Sequence, residues 1–78
     1  MTSITFKEVL KQAPFQPVRV VMSSGESYIV THPEMALASP ACLVLSLPDP
    51  SREEGVRLTF CSWPSIAHVE QLAPSSVG

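Results

Sequence analysis

Ala41-Cys42-Leu43-Val44-Leu45-Ser46-Leu47, then Pro48-Asp49-Pro50-Ser51-Arg52-Glu53-Glu54-Gly55, then Val56-Arg57-Leu58-Thr59-Phe60-Cys61: two alternating runs flank a loop of turn-forming residues, and this antiparallel hairpin organises the chain. Successive side chains alternate across a strand, so Leu43, Leu45 and Leu47 share one face, as do Val56, Leu58 and Phe60. Opposed residues of an antiparallel pair keep a constant sum. Burying all six together therefore requires Leu47 opposite Val56, Leu45 opposite Leu58 and Leu43 opposite Phe60. The same register sets Cys42 against Cys61 on the other face, with Val44 beside Thr59 and Ser46 beside Arg57. Such a cysteine pair lies within reach of a strained disulfide, but two free thiols are expected in a reducing compartment.

Upstream, Val18, Val20 and Met22 alternate with Arg19, Val21 and Ser23, and Tyr28 and Val30 alternate with Ser27, Ile29 and Thr31. Sharing a face requires Val20 opposite Tyr28. That implies a three-residue loop Ser23-Ser24-Gly25, with Gly25 in the left-handed region. His32-Pro33-Glu34 breaks the ladder because proline has no N–H to donate. Met35-Ala36-Leu37-Ala38 reads as a bend leading to Ser39-Pro40. Downstream, Ser62-Trp63-Pro64-Ser65 turns the chain into a last strand, Ile66 to Leu72.

The N-terminal segment carries the helical period instead. Thr5 and Glu8 match a capping box, with Ile4 and Val9 as its apolar staple. Phe6, Val9, Leu10 and Ala13 form one stripe. Pro14 ends the helix, and Pro14-Phe15-Gln16-Pro17 makes a stiff elbow with Phe15 tucked beneath it. The expected domain is thus a helix over about 5–13, strands over about 17–72 and a frayed tail over 73–78. Five short antiparallel strands bury one face most simply as a small SH3-like or Sm-like barrel, the helix capping one open end.

Composition bounds the function. In 78 residues, 45% are hydrophobic and 15% charged, which suits a single ordered domain near the lower size limit for unaided folding. No apolar run approaches the roughly 18 residues of a membrane span, and the first residues lack the basic-then-apolar order of a signal peptide. A soluble, cytoplasmic chain without membrane contact is expected. Two cysteines fit neither a disulfide scaffold nor a zinc motif. The net charge of −2 and the scattered cations Lys7, Lys11, Arg19, Arg52 and Arg57 argue against RNA as a partner.

Two resemblances follow from these residues. Pro14-Phe15-x-Pro17-Val18-Arg19-Val20, the glycine hairpin and His32-Pro33-Glu34 resemble a group of short bacterial proteins of uncharacterised role, over Phe6 to Leu72. More distantly, the helix followed by Pro17-Val18-x-Val20-x-Met22-x-x-Gly25 and later strands is similar to Sm-like proteins. That likeness implies a small barrel and, in an oligomer, nucleic-acid binding. Sm-like RNA binders carry an Asn loop after the second strand and a basic loop between the last two. Here those places hold His32-Pro33-Glu34 and Ser62-Trp63-Pro64-Ser65, so the RNA site does not carry over.

Candidate chemistry is sparse. His32 with Glu34, and His68 with Glu70, could each share a strand face, but such pairs are ordinary on small domains. Cys61 lacks an orienting acid and an oxyanion hole. No phosphate loop, nucleophile elbow or metalloprotease motif occurs. No enzyme activity, metal or cofactor is expected. Interaction residues are the better candidates: outward-facing Val21, Ile29 and Val44, together with His32 at the bend and Trp63. Trp63 is either an exposed anchor or a plug in the core, and core use is the ordinary fate of a tryptophan in so small a domain. The expected role is an interaction module binding protein, itself as a homo-oligomer included. The alternative is an Sm-like nucleic-acid binder whose site forms on oligomerisation.

Overall fold

The computed structural model describes residues 1–72, and the expected frayed tail, 73–78, lies outside them. One helix, α1 (Ser3–Leu10), precedes six strands: β1 (Val18–Met22), β2 (Ser27–Val30), β3 (Ala36–Ala38), β4 (Leu43–Pro48), β5 (Val56–Cys61) and β6 (Ile66–Gln71). They form two three-stranded sheets, ordered β2-β1-β6 and β3-β4-β5. The expected five-stranded SH3-like or Sm-like barrel is therefore incorrect: there are six strands, and neither sheet closes. The stretch after Met35, expected as a bend, supplies the additional strand β3, paired with β4 through Ala36–Leu45 and Ala38–Leu43.

Proline explains the division. The chain passes between the sheets twice, through the 3-10 turns Pro33–Met35 and Trp63–Ser65. Each turn carries a proline in its first turn. A proline cannot continue a hydrogen-bonded ladder, so each strand ends there and a new one starts on the other sheet.

The first hairpin follows the period-two reading. Val20 opposes Tyr28, Val18 opposes Val30, and Met22 N–H donates to the Glu26 carbonyl at 2.8 Å. Gly25 sits at φ 97°, the left-handed region that this loop requires.

The second hairpin corrects the expected register by one residue. Leu43 pairs with Cys61, Leu45 with Thr59, Leu47 with Arg57, and Val44 with Phe60. A one-residue slip moves a whole strand's side chains to the other face. Thus Cys61 is buried with the three leucines, whereas Val56, Leu58 and Phe60 point outward. The expected opposition of Cys42 and Cys61 fails for the same reason, and both are free thiols.

Trp63 supplies the physical cause. It lies two residues beyond Cys61, is buried, and donates its Nε1–H to the Ser39 carbonyl at 2.7 Å. Its ring also meets that of Phe6, with centroids 5.9 Å apart and planes inclined at 54°. Seating this large side chain selects the odd-numbered face of β5 over the even-numbered one.

Val18, Val20 and Val30 of one sheet thus share a core with Ala38, Leu43, Leu45, Leu47 and Cys61 of the other, completed by Phe6, Trp63 and Ile66. The helix lies against β3 and closes that core with Phe6. Val9, Leu10 and Phe15 pack around it, as the stripe and elbow imply. The capping reading is corrected: Thr2 is the N-cap, its Oγ1 accepting the Thr5 N–H at 3.2 Å, so the helix begins before Thr5. Ile4 then falls on the solvent side, 73% exposed, and makes no staple. The helix ends at Leu10, and Ala13 is exposed.

Candidate interaction surface

The outer face of β3-β4-β5 is apolar. Leu37, Val44 and Phe60 form a row across the three strands, because Leu37 opposes Val44 and Val44 opposes Phe60. The next rows along β4 and β5 are Ser46 with Leu58 and Pro48 with Val56. Phe60 is 67% exposed, Leu37 65% and Leu58 61%. Isolated exposed apolar residues are ordinary, whereas a contiguous group on one flat face marks a contact surface. At one end of β5 lies an open pocket of about 410 Å³, walled by Arg52, Glu54, Val56, Arg57 and Leu58.

The other outer face, on β2-β1-β6, has a different character. Arg19 and Glu70 are opposed and form an ion pair at 3.1 Å, and His68 Nε2 lies 3.4 Å from the other oxygen of Glu70. Val21 stands opposite His68 on one side and Ser27 on the other, and Ile29 stands opposite Arg19. Charged neighbours therefore interrupt the apolar residues of this face.

The sequence candidates thus separate. Val44 lies in the apolar face of the second sheet, while Val21 and Ile29 lie on the mixed face of the first. Trp63 is a core residue, and its indole N–H is already used internally. His32 is exposed, its Nδ1 3.0 Å from Thr31 Oγ1. Leu37, Val56, Leu58 and Phe60 were absent from the candidates because the expected register buried the last three and left Leu37 in a bend. The available signal was parity: Cys61 and Trp63 are both odd-numbered, and continuing the strand to seat Trp63 inward turns Phe60 outward.

Burial pushes the Cys61 thiol above its ordinary value, with nearby Cys42 adding to the effect, which disfavours a thiolate nucleophile. Asp49 is lowered by hydrogen bonds from the Ser51 hydroxyl and amide, at 2.6 and 3.1 Å, a turn-stabilising arrangement in the exposed loop. Burial raises the Tyr28 phenol, and the Glu26 carboxylate reinforces this. Among the described residues, no group of three or more His, Cys, Asp or Glu is placed to hold a metal ion, and no helix is long and apolar enough to cross a membrane.

Fold and surface together define a small two-sheet β domain, closed by one helix, with one outer sheet face apolar and the other charged. No family model, curated protein or solved structure matches the chain.

Proposed function

We propose that this chain is a non-enzymatic interaction module that binds protein, a second copy of itself included, through the outer side of β3-β4-β5. One observation carries the reading: three large apolar side chains, Leu37, Leu58 and Phe60, stand more than three-fifths exposed on a single sheet face beside Val44 and Val56. Leaving such a group in water costs free energy that association recovers, at about 25 cal/mol per Å² of apolar area covered. The cations support a protein partner over nucleic acid. Arg19 is paired with Glu70, and Arg52 with Asp49 at 3.5 Å, which lowers the charge they offer to phosphates.

Light scattering over a range of concentrations tests the reading. The wild-type mass should rise with concentration, and Phe60→Asp should hold the chain at monomer mass with an unchanged melting temperature. A wild-type monomer across the whole range, with Phe60→Asp indistinguishable from it, would rule out self-association through this face.

A further inference from the structure

The register also reveals which backbone groups of β5 are free. In an antiparallel pair, alternate opposed residues exchange both of their hydrogen bonds. Asp49 N–H donates to the Gly55 carbonyl at 2.8 Å, in the same register that opposes Leu47 to Arg57 and Leu45 to Thr59. The odd-numbered residues of β5 therefore direct their N–H and C=O toward β4. Val56, Leu58 and Phe60 direct theirs away from it, along the outer edge of the sheet. No backbone partner for these three appears among the described residues. The same residues thus carry both the free edge and the exposed apolar side chains.

We infer that two copies of the chain pair antiparallel along β5, about a two-fold axis at Leu58. This rests on the self-association reading above and specifies its geometry. Leu58 then opposes Leu58 of the second copy, and Val56 opposes the second copy's Phe60. Every outward N–H and C=O of the three residues gains a partner. The two outer faces become one continuous face, since paired residues point the same way.

Neighbouring registers are worse. Centring on Arg57 would set two guanidinium groups side by side, a destabilising like-charge pair. Centring on Thr59 would leave Val56 opposite Ser62, beyond the end of the strand. In the Leu58 register Arg57 opposes Thr59, and no like charges are directly opposed. Antiparallel pairing of β5 with the β6 edge would instead set its outward-bonding residues opposite Val69 and Gln71, turning Leu58 and Phe60 to the side of the first sheet on which Val69 packs against the core.

Shape agrees with a second copy, and area with a transient one. Phe60 of one copy falls beside Val56 of the other, a wall of the open pocket of about 410 Å³ that Leu58 and Arg57 also line. Exposures of 39% for Val56, 61% for Leu58 and 67% for Phe60 correspond to on the order of 350 Å² per copy. The paired sheet keeps its outer face open to water, so edge pairing covers only part of that area and the contact lies below the roughly 1,000 Å² of a stable interface. The dimer is accordingly reversible and concentration-dependent, and its two-fold symmetry closes at two chains.

Proline at position 58 distinguishes edge pairing from other contacts, because the lost N–H points away from β4. Sedimentation equilibrium should show a wild-type dimer, a Leu58→Pro monomer with the wild-type circular dichroism spectrum, and a weakened Leu58→Ala dimer. As a second measure, Leu58→Cys should cross-link between copies under mild oxidation at least tenfold faster than Leu37→Cys, with the linked cysteine identified by peptide mapping. A Leu58→Pro chain that folds and still dimerises, assemblies larger than two, or Leu37→Cys linking as fast as Leu58→Cys would overturn the edge pairing and leave face-mediated association standing. A wild-type chain that remains monomeric would remove both.

Discussion

Replacing Phe6 with alanine isolates the contact that holds the helix to the sheets. An eight-residue helix is not stable alone in water, so docking must supply its order. Phe6 is the one fully buried residue of that helix, and its ring meets Trp63 at 5.9 Å. Truncating a fully buried phenylalanine costs about 3–5 kcal/mol, of which the ring pair accounts for about 0.5–1.5 kcal/mol. At about 0.05–0.15 kcal/mol per residue, a domain of this length has roughly 4–12 kcal/mol of total stability. The substitution thus removes a quarter of it or more. Since 1 kcal/mol corresponds to about 4–8 °C in a domain of this size, the melting temperature should fall by at least roughly 12 °C. Circular dichroism measures that loss, and the single tryptophan provides a local readout, its emission shifting red as water reaches the vacated side of Trp63. Ile4→Ala is the control: this exposed position should change stability by less than about 0.5 kcal/mol. A Phe6→Ala chain melting within a few degrees of wild type, or an equally large loss from Ile4→Ala, would refute the assignment of the buried helical face.

Three further outcomes follow from particular contacts. Thr2→Ala should cost about 0.5–2 kcal/mol in chemical denaturation by removing the N-cap, and Thr5→Ala clearly less; the reverse order would restore Thr5 as the cap. Trp63→Phe should cost at least about 1–3 kcal/mol because the Ser39 carbonyl loses its donor, and an unchanged melting curve would show that this bond does not fix the turn. Cys61 should alkylate much more slowly than Cys42 in the native chain at neutral pH, as peptide mapping can show. Its raised thiol pKa means that its contribution to stability is complete below the ordinary value of 9.0 and is lost as pH rises through the folded value. The alkaline fall in stability should accordingly be smaller in Cys61→Ala.

Local chemistry was legible in the sequence wherever neighbouring residues decide the outcome. The Ser23-Ser24-Gly25 loop, the Val20–Tyr28 register and the Phe6, Val9 and Leu10 stripe follow from parity, glycine's access to positive φ and the helical repeat. The two prolines signalled that strands stop at Pro33 and Pro64. They did not signal that each turn carries the chain to the opposite sheet, because that depends on which surfaces are available to pack. The N-cap moved by three residues, from Thr5 to Thr2: the Thr5–Glu8 spacing matches a capping box in the sequence, but the chain is already helical from Ser3 and the Thr2 hydroxyl accepts the Thr5 N–H.

The outward face of β5 was beyond local reading. Val56, Leu58 and Phe60 alternate as a buried strand would, and taken alone they belong inside. Only the tertiary structure weighs them against Cys61 and Trp63, which share the opposite parity and are tied to Phe6 and Ser39, residues distant in sequence. Periodicity determines that a strand has two faces, but which face is buried depends on partners elsewhere in the chain. Here seating the tryptophan outweighed the three alternating apolar residues, and the displaced face became the candidate interaction surface.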